Sequence, residues 1–336
     1  MNEAAPEGAW LMRMAWVAGA ARRRGGGRWN RNTPGEGLGE RLLGFSHERV
    51  WENASQGSPM RWPWENASQG SPMRWLFSHD KEGQVFDLKG RVAIVTGGNG
   101  GIGLGMARGL ARAGAHVVVA GRNAEKSAGA VREIERVGGQ ASTVQVDVAS
   151  EASVNHMVDA VRSRQGRLDI LVNNAGINIR KPVHELSLAE WMEVINTNLT
   201  SAYLCCHAAY PLFKAAEGGK IINIGSMMSI FGASFAPAYA ASKGGIVQLT
   251  KATAVAWAPD NIQVNAVLPG WIDTELTQNA RKQVKGLHES VLGRTPAGRW
   301  GTIDDMEGIA VFLASHASDF VTGTAIPVDG GYAVKG

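Results

Sequence analysis

From residue 88 to the end of the chain, short apolar runs alternate with longer stretches in which apolar residues recur at helical spacing. The apolar runs lie at 91–95, 116–120, 142–146, 169–172, 220–224, 263–267 and 325–328. The helical stretches lie near 101–113, 124–137, 151–165, 188–216, 238–258 and 302–314. Strands that are apolar throughout are typical of a parallel sheet buried on both faces. The alternation therefore predicts an α/β domain with a single doubly wound parallel sheet of seven strands and helices on both faces.

A glycine-rich turn connects the first predicted strand to the first predicted helix. It reads TGGNGGIG over residues 96–103. Glycines permit a tight turn there, and the free N–H groups and dipole of the helix N-terminus stabilise a pyrophosphate. The turn therefore indicates a dinucleotide site, although a glycine-rich turn alone also occurs as plain structural punctuation. The residues assigned to this site are Gly97, Asn99, Gly101, Ile102 and Gly103.

Further polar or glycine-containing segments follow four later strands. These segments begin at Asp147, at Asn173, at Gly225 and at Pro269. Each could be an ordinary loop, but in a doubly wound sheet the carboxyl ends of all strands meet at one edge, where ligands bind. We therefore expect a single site there, with the Asp147 carboxylate accepting from an adenine amino group. The further residues assigned to the cofactor are Asp147, Val148, Asn173, Ile272 and Thr274.

The first 84 residues differ from the rest of the chain. They contain seven of the eleven tryptophans, and the sequence WENASQGSPMRW occurs at 51–62 and again at 64–75. Two copies are too few for a stacked repeat domain, and the apolar run at 9–21 is too short to span a bilayer. We expect residues 1–84 to be a disordered extension or the result of a mis-assigned start, with Met73 as the alternative start. A function of this extension is the alternative that stays open. Residues 85–336 form the predicted domain.

Composition narrows the function classes. The formal net charge is +4, and the arginines form no basic recognition helix, so a nucleic-acid partner is not expected. The eight histidines are dispersed, and no group of side chains has the spacing of metal ligands, so we expect no metal. The adjacent Cys205 and Cys206 are interpreted as core thiols in a reducing compartment. A cytoplasmic protein without a membrane partner is the resulting expectation.

The motifs of residues 88–336 resemble the short-chain dehydrogenase/reductase family, whose domain is of the Rossmann type. They are TGGNGGIG at 96–103, NNAG at 173–176, Ser226, YAASK at 239–243 and PGWI at 269–272. A Tyr-x-x-x-Lys pattern is common by chance, but here Ser226 precedes Tyr239 by thirteen residues and the glycine turn follows the first strand. The resemblance covers the whole domain and none of the extension. It implies that Ser226, Tyr239, Lys243 and Asn198 are catalytic, and that Tyr239 and Lys243 also contact the cofactor.

The spacing of the tyrosine and the lysine suggests acid–base chemistry. Tyr239 and Lys243 are four residues apart, so on a helix they share a face. We expect the ammonium to favour the phenolate and to lower the pKa of Tyr239, which would then exchange a proton with an alcohol while hydride moves to or from carbon. Ser226 would orient the substrate oxygen. The resemblance implies that Asn198 supports a water relay to Lys243.

The segment after the second strand bears on the choice of cofactor. An acidic residue at this position usually selects the unphosphorylated ribose, but the sequence reads Ala-Gly-Arg-Asn at 120–123. Arg122 is available for a forked contact with a 2′-phosphate, so NADP(H) is favoured. NAD(H) stays possible, because Arg122 could instead lie along the adenine and the glycine turn carries no second basic residue.

The segment over the expected nicotinamide position, here called the lid segment (residues 274–301), is rich in polar and basic residues. It suits a polar, possibly anionic small-molecule substrate, although a solvated helix face explains such charges equally well. The stretches at 226–232, 256–274 and 294–301 resemble the gluconate and deoxygluconate dehydrogenase branch, with glucose dehydrogenases close by. We therefore expect turnover of a sugar acid or related polyol. A 3-oxoacyl-carrier-protein reductase and a non-catalytic dinucleotide sensor are the alternatives, and the resemblance implies a homotetramer.

Overall fold

The computed structural model describes residues 85–336, and the extension with its tandem repeat lies outside the described residues. Seven parallel strands form one sheet in the order β3-β2-β1-β4-β5-β6-β7. The strands are β1 (Val92–Thr96), β2 (His116–Gly121), β3 (Gln140–Gln145), β4 (Ile170–Asn173), β5 (Gly219–Ile224), β6 (Ile262–Pro269) and β7 (Ala325–Val328). The predicted seven-stranded, doubly wound sheet is confirmed.

Helices cover both faces of this sheet. They are α1 (Gly101–Arg112), α2 (Ala124–Arg136), α3 (Glu151–Gln165), α4 (Leu188–Ile195), α5 (Ser201–Ala215), α6 (Pro237–Trp257), α7 (Glu275–Gln283), α8 (Leu287–Arg294) and α9 (Glu307–Ala314). Two large apolar clusters form the core. One contains Met106 and Leu110 of α1 with Leu313 of α9, and the other contains Met157 of α3 with Phe213 of α5. Each cluster packs on one face of the sheet, as a sheet buried on both sides requires.

The central strands are buried along their whole length. All five residues of β1 and all eight residues of β6 are buried, whereas β7, at the edge, is only partly covered. This burial explains why the strands read as continuous apolar runs in the sequence rather than as alternating ones.

The strand order places a crevice at the centre of the sheet. The chain runs outward from β1 to β3 and then returns to β4 on the other side of β1. The loops after β1 and β4 therefore diverge at the carboxyl edge, and such switch points are where doubly wound sheets bind ligands.

The helical stretch expected at 188–216 is not one α-helix. A π-helical turn, Asn196–Thr200, separates α4 from α5. Single π turns inside helices are frequent at functional sites, and this one contains Asn198. The spacing of apolar residues is too similar in the two helix types for the sequence to reveal the change.

The helical stretch near the end of the chain and the lid segment also differ from the sequence-based prediction. The stretch expected at 302–314 begins as a 3-10 turn, Ile303–Met306, before α9. The lid segment contains the two short helices α7 and α8.

Helix α1 packs tightly against the last helical region of the domain. A Cβ atom at Gly105 would overlap the carbonyl oxygen of Ile303, and one at Gly109 would lie 2.8 Å from the carbonyl oxygen of Glu307. Glycines are needed here because the two backbones are in close approach. Arg108 reinforces the contact with ion pairs to Asp304 and Glu307, both at 2.9 Å.

An ion-pair network anchors the amino end of β1 to β4. The carboxylate of Asp169 is 2% exposed and accepts hydrogen bonds from Arg91, from Arg167 and from the backbone N–H of Val92. These donors hold its pKa below the ordinary value despite burial, which acts in the opposite direction.

Cys205 and Cys206 are both buried free thiols on α5, and burial raises the pKa of each, that of Cys206 to about 12. No helix between residues 85 and 336 has the length and apolar character needed to traverse a bilayer.

Candidate active site

A cavity of about 770 Å³ follows the carboxyl edge of the sheet. Its lining comes from the segments after all seven strands, together with the lid segment and α6. Every residue assigned to the site from the sequence lines this cavity except Gly103, Asn173 and Asn198. A volume of this size is in the range of small-molecule and cofactor sites.

The glycine turn forms one end of the cavity. Gly97 has a φ of 63° and Gly101 a φ of 53°, a backbone region that favours glycine. No side chain among the described residues caps the N-terminus of α1, so the first-turn N–H groups of Gly101 and Ile102 are free to bind an anion.

Gly103 lies behind this turn rather than in the cavity wall. A Cβ atom at Gly103 would overlap the Asn174 side chain, whose amide donates to the carbonyl oxygens of Thr96 (2.9 Å) and Gly97 (3.1 Å). The hydroxyl of Thr96 in turn accepts from the backbone N–H of Asn174 at 3.0 Å. Gly103 therefore permits the loop after β4 to hold the glycine turn in place.

Asn99 connects the glycine turn to the next crossover. Its side-chain amide donates to the hydroxyl of Ser127 on α2 at 3.1 Å and packs against Gly121. The side chain of Asn99 therefore aligns the turn with the segment that carries Arg122.

Two basic residues lie at the end of the cavity formed by the segment after β2. Arg122 is the one expected from the sequence, and Lys126 in the first turn of α2 is the second. The Lys126 side chain lies over Gly100, and its Nζ forms an ion pair with Glu275 of α7 at 3.0 Å. Lys126 was not recognisable from the sequence, because the glycine turn and α2 are brought together only by folding.

Asp147 and Val148 line the same end of the cavity. The Asp147 carboxylate accepts the backbone N–H of Ala149 at 3.1 Å, and its own N–H donates to the Ser153 hydroxyl at 3.0 Å. These bonds hold the turn after β3 in a conformation that keeps Asp147 in the wall.

Asn173 is buried beside the cavity instead of lining it. Its side-chain amide donates to Asn223 Oδ1 at 2.9 Å and to the Cys206 sulfur at 3.3 Å. The following residues, 174–176, face the cavity in its place. The side chain of Asn173 therefore links β4, β5 and α5 under the site.

Ser226 follows β5 and begins a 3-10 turn, Met227–Ser229. Its hydroxyl oxygen accepts the N–H of Met228 at 3.1 Å, and its own N–H donates to the Ser229 hydroxyl at 3.1 Å. The Ser229 hydroxyl donates to the carbonyl oxygen of Lys243 at 2.7 Å, which ties this turn to α6. The side chain of Ser226 is thereby held in the cavity wall.

Tyr239 and Lys243 lie in the first two turns of α6, with Lys243 only 4% exposed. The Lys243 Nζ is 5.6 Å from the centroid of the Tyr239 ring and donates to the carbonyl oxygen of Ile224 at 2.7 Å. The shared helix face expected from the spacing is therefore observed, with Nζ anchored to β5.

The pKa of Tyr239 shifts in the direction opposite to the expected one. Burial raises it above its ordinary value, and the Ser226 side chain and the Arg180 charge counteract this only in part. Burial also lowers the pKa of Lys243 to about 8, so its cationic form is itself disfavoured. Helical spacing indicates proximity but not desolvation, which is why the sequence-based expectation was wrong for the protein without bound ligands.

Asn198 connects the loop after β4 to helix α6 beneath the cavity. Its Oδ1 accepts the N–H of Ile177 at 2.8 Å, and its Nδ2 donates to the Ile177 carbonyl oxygen at 2.9 Å and to the Ser242 hydroxyl at 3.0 Å. Ser242 in turn donates to the carbonyl oxygen of Tyr239 at 2.8 Å. Asn198 thus orients the backbone around Tyr239 and makes no direct contact with Lys243 among the hydrogen bonds of the described residues.

Arg180 is a cavity residue that sequence analysis did not identify. It follows NNAG in the loop after β4 and donates to the Leu276 carbonyl oxygen and the Gln283 side chain, both at 3.1 Å. Its Nε and the neighbouring Asn178 Oδ1 are buried without a partner among the described residues. Such atoms usually have a partner in the complete assembly, so they point to a polar ligand.

Ile272 and Thr274 attach the lid segment to the site. Thr274 caps α7, and its side chain packs over Gly101 of the glycine turn. The carbonyl oxygen of Ile272 accepts the Thr277 hydroxyl at 2.6 Å. These contacts attach the start of the lid segment to the cavity wall beside the glycine turn.

Comparison with known proteins agrees with this geometry. A family model described as enoyl-(acyl carrier protein) reductase matches residues 97–333. The 2-dehydro-3-deoxy-D-gluconate 5-dehydrogenase of Formosa agariphila is 41% identical over 248 residues, which is 74% of this chain and 94% of that relative. The gluconate 5-dehydrogenase of Gluconobacter oxydans is 40% identical over 251 residues, which is 75% of this chain and 98% of that relative.

A solved structure also matches the chain closely. It is a gluconate 5-dehydrogenase from Burkholderia cenocepacia in complex with NADP and tartrate, 42% identical to this chain. The match has a TM-score of 0.71 and covers 74% of this chain and 97% of that one. Together with the sheet order, the glycine turn and the placement of Ser226, Tyr239 and Lys243, these matches show that the chain belongs to the short-chain dehydrogenase/reductase family.

Proposed function

We propose that the protein is an NADP(H)-dependent oxidoreductase that interconverts a secondary hydroxyl group and a ketone on a sugar acid of the gluconate type. The observation that carries this proposal is one cavity lined by the glycine turn, by Ser226 and Tyr239, and by the basic side chains of Arg180 and Arg294. The similarity to gluconate-type dehydrogenases over nearly their full length supports the same substrate class.

The residues of the cavity fit a dinucleotide. The glycine turn offers free N–H groups at a helix N-terminus for the pyrophosphate, and Asp147 and Val148 line the adenine end. When bound, this cofactor supplies the hydride acceptor or donor. Arg122 and Lys126 are placed for a 2′-phosphate, and a related structure was solved with NADP, so NADP(H) is preferred over NAD(H).

The acid–base part of the reaction is assigned to Tyr239. In the oxidative direction its phenolic oxygen takes the proton from the substrate hydroxyl, and in the reductive direction it returns that proton to the carbonyl oxygen. The Ser226 hydroxyl orients the same substrate oxygen. Arg180 places positive charge near the phenol and favours its ionised form, against the effect of burial. Lys243, whose Nζ is 5.6 Å from the centroid of the Tyr239 ring, adds to this effect when it is protonated.

A substrate panel tests this proposal. The full-length protein is assayed with NADP⁺ and NAD⁺ on gluconate-type acids and neutral polyols, and with NADPH on keto acids and 3-oxoacyl thioesters. We expect turnover on the acids with NADP⁺. Good turnover on acyl thioesters without turnover on the acids would instead support a carrier-protein ketoreductase and overturn this assignment.

A single substitution separates an enzyme from a cofactor-binding sensor. Tyr239→Phe removes the proton-transferring oxygen and keeps the ring, so we expect a loss of kcat of about 10²- to 10⁴-fold. Binding of NADPH, measured by fluorescence titration, should change little. Unchanged turnover in this variant would rule out Tyr239 as the acid–base group.

We also infer a cytoplasmic homo-oligomer, with a tetramer as the family resemblance implies. Large apolar side chains are exposed on α4, α5 and α6, including Leu188 (76%), Tyr203 (52%) and Val255 (80%). Several large apolar side chains exposed on helices suit a surface that packs against another subunit. Sedimentation equilibrium of the purified protein tests the assembly, and a monomer at micromolar concentration would contradict it.

A further inference from the structure

Arg294, at the end of α8, lies in the angle between two aromatic rings in the cavity wall. Its guanidinium carbon is 4.6 Å from the ring centroid of Phe231 and 4.4 Å from that of Tyr332. The two rings meet edge to face, with centroids 6.4 Å apart. All three side chains line the cavity. We call this group the arginine clamp (Phe231, Arg294 and Tyr332).

The arginine clamp is assembled from three separate segments and is held firmly. The carboxylate of Asp329 accepts the N–H groups of Gly331 (2.9 Å) and Ala333 (2.7 Å), which fixes the turn that presents Tyr332. Gly330 has a φ of 63° and accepts the N–H of Ala297 at 3.1 Å, so the same turn is docked beside the end of α8. The cation is therefore pre-positioned before any ligand binds.

The charge of Arg294 is not neutralised within the described part of the chain. The lid segment contains three arginines, and two of them are paired: Arg281 with Asp273, and Arg299 with Asp305 at 2.7 Å. Arg294 has no carboxylate partner and no hydrogen-bond acceptor among residues 85–336. Aromatic faces attract a cation without satisfying its N–H donors, so these donors stay available to an anion.

We propose that Arg294 binds the carboxylate of the substrate and thereby selects acids over neutral polyols. This inference rests on the proposed function, because it assigns one end of the proposed substrate. Arg180 belongs to the reacting end, since its charge acts on the Tyr239 phenol. In a gluconate-type acid the carboxylate is at the end of the carbon chain and remote from the reacting hydroxyl. Arg294 lines the same cavity from a different segment than Arg180 and is the candidate for that end, and a guanidinium binds a carboxylate with charge-assisted hydrogen bonds.

The test compares an acid with a neutral analogue of the same shape. Arg294→Gln is assayed in the full-length protein with gluconate and with glucitol, both with NADP⁺. We expect the KM for gluconate to rise about 10- to 100-fold, as for loss of a hydrogen bond to a charged group. The kcat for gluconate, the KM for NADP⁺ and the kinetics on glucitol should stay within about twofold.

Two further variants serve as comparisons. Arg299→Gln removes a lid-segment arginine that is paired with Asp305 and does not line the cavity, so it should leave the KM for gluconate unchanged. Tyr332→Leu removes one ring of the arginine clamp and should raise the KM for gluconate but not for glucitol. Equal losses on both substrates, or no loss in Arg294→Gln, would overturn the inference.

Binding measurements keep this inference distinguishable from the proposed function. Gluconate is titrated by calorimetry into the NADP⁺-loaded wild type and into Arg294→Gln. Binding that is lost in the variant supports the assignment of Arg294. If the wild type turns over gluconate but Arg294→Gln binds gluconate with the same affinity as the wild type, only the assignment of Arg294 is overturned. If the wild type neither binds acids nor turns them over, both proposals are overturned.

Discussion

Lys243 carries its amine in an almost fully buried position, and its ionisation is therefore linked to the stability of the fold. Burial lowers its pKa from 10.5 to about 8. Between these two pH values the unfolded chain binds a proton that the folded chain does not. The free energy of unfolding contributed by this site therefore rises with pH from about 8 to about 10.5, and the penalty for burying the ammonium is fully present below about 8.

Replacing the buried lysine should remove this pH dependence. In the cofactor-free protein, the unfolding free energy of wild type minus that of Lys243→Met should rise by on the order of 3 kcal/mol from pH 7.5 to pH 10.5. Urea denaturation at several pH values measures it. Lys251→Met, an exposed position on the same helix, controls for loss of a lysine. A difference that stays constant across this range would contradict the linkage.

Lys126 leads to a prediction about cofactor preference. Its Nζ is paired with the exposed carboxylate of Glu275, and it lies beside Arg122 at the end of the cavity. We expect Lys126→Gln to raise the KM for NADP⁺ about 3- to 10-fold, because an exposed cation contributes modestly to phosphate binding, and to leave the KM for NAD⁺ unchanged.

Glu275→Gln is the matched control for this prediction. It breaks the same ion pair but leaves the lysine available, so the KM for NADP⁺ should stay unchanged or fall. Equal effects of Lys126→Gln on both cofactors would show that the lysine supports the fold of the cleft instead of the phosphate.

The residues that sequence analysis found and those it missed differ in a physical way. Ser226, Tyr239 and the glycine turn are recognisable because their chemistry depends on spacing along one strand–turn–helix unit or on a shared helix face. Arg180 lies in the loop after β4 and Arg294 at the end of α8, both among other charged residues, and their distinction is that folding leaves them facing a cavity. The upward pKa shift of Tyr239 has the same origin, since burial is a property of the packed structure.

Among the elements, α1 packs against its neighbours with little room for change. Gly105 contacts the backbone of Ile303 so closely that an added methyl group would overlap it. The regular elements themselves were predictable from apolar periodicity. The π turn Asn196–Thr200 and this glycine-mediated contact were not predictable, because both depend on how segments distant in sequence pack against each other.

Two glycine-to-alanine substitutions should have opposite effects on stability. Gly105→Ala should destabilise the protein by about 1–3 kcal/mol or more, because α1 must move away from Ile303. Gly129→Ala, on α2, meets only the flexible end of Arg132 and should stabilise by about 0.5–1 kcal/mol through higher helix propensity. Thermal and urea unfolding measure both. If Gly105→Ala leaves the unfolding free energy unchanged, the backbones of α1 and Ile303 can move apart at little cost, which would contradict this prediction.

At the scale of the whole molecule, the site is contained in the part of the chain that the relatives share. The match to the Formosa agariphila relative covers 74% of this chain and 94% of that relative. All residues assigned to the site lie beyond residue 96. The predicted boundary near residue 85 rests on a change in composition, and the sequence indicates no role for residues 1–84.

Removal of the first 77 residues should therefore leave catalysis intact. We expect a chain of residues 78–336 to keep kcat and both KM values within about twofold of the full-length protein, since all residues assigned to the site lie beyond residue 96. Parallel assays of the two proteins measure this. A large loss of kcat in the shorter protein would assign a function to the extension.

The packing of α1 against the 3-10 turn at Ile303–Met306 and against α9 also has a consequence for biosynthesis. Arg108 pairs with Asp304, which is 196 positions later in the chain, and the glycine face of α1 meets the same late segment. A ribosome therefore finishes most of the sheet before this glycine face of α1 is covered, although α2 already packs beside α1. Until translation ends, the nascent chain exposes apolar surface on that side, where a chaperone would bind.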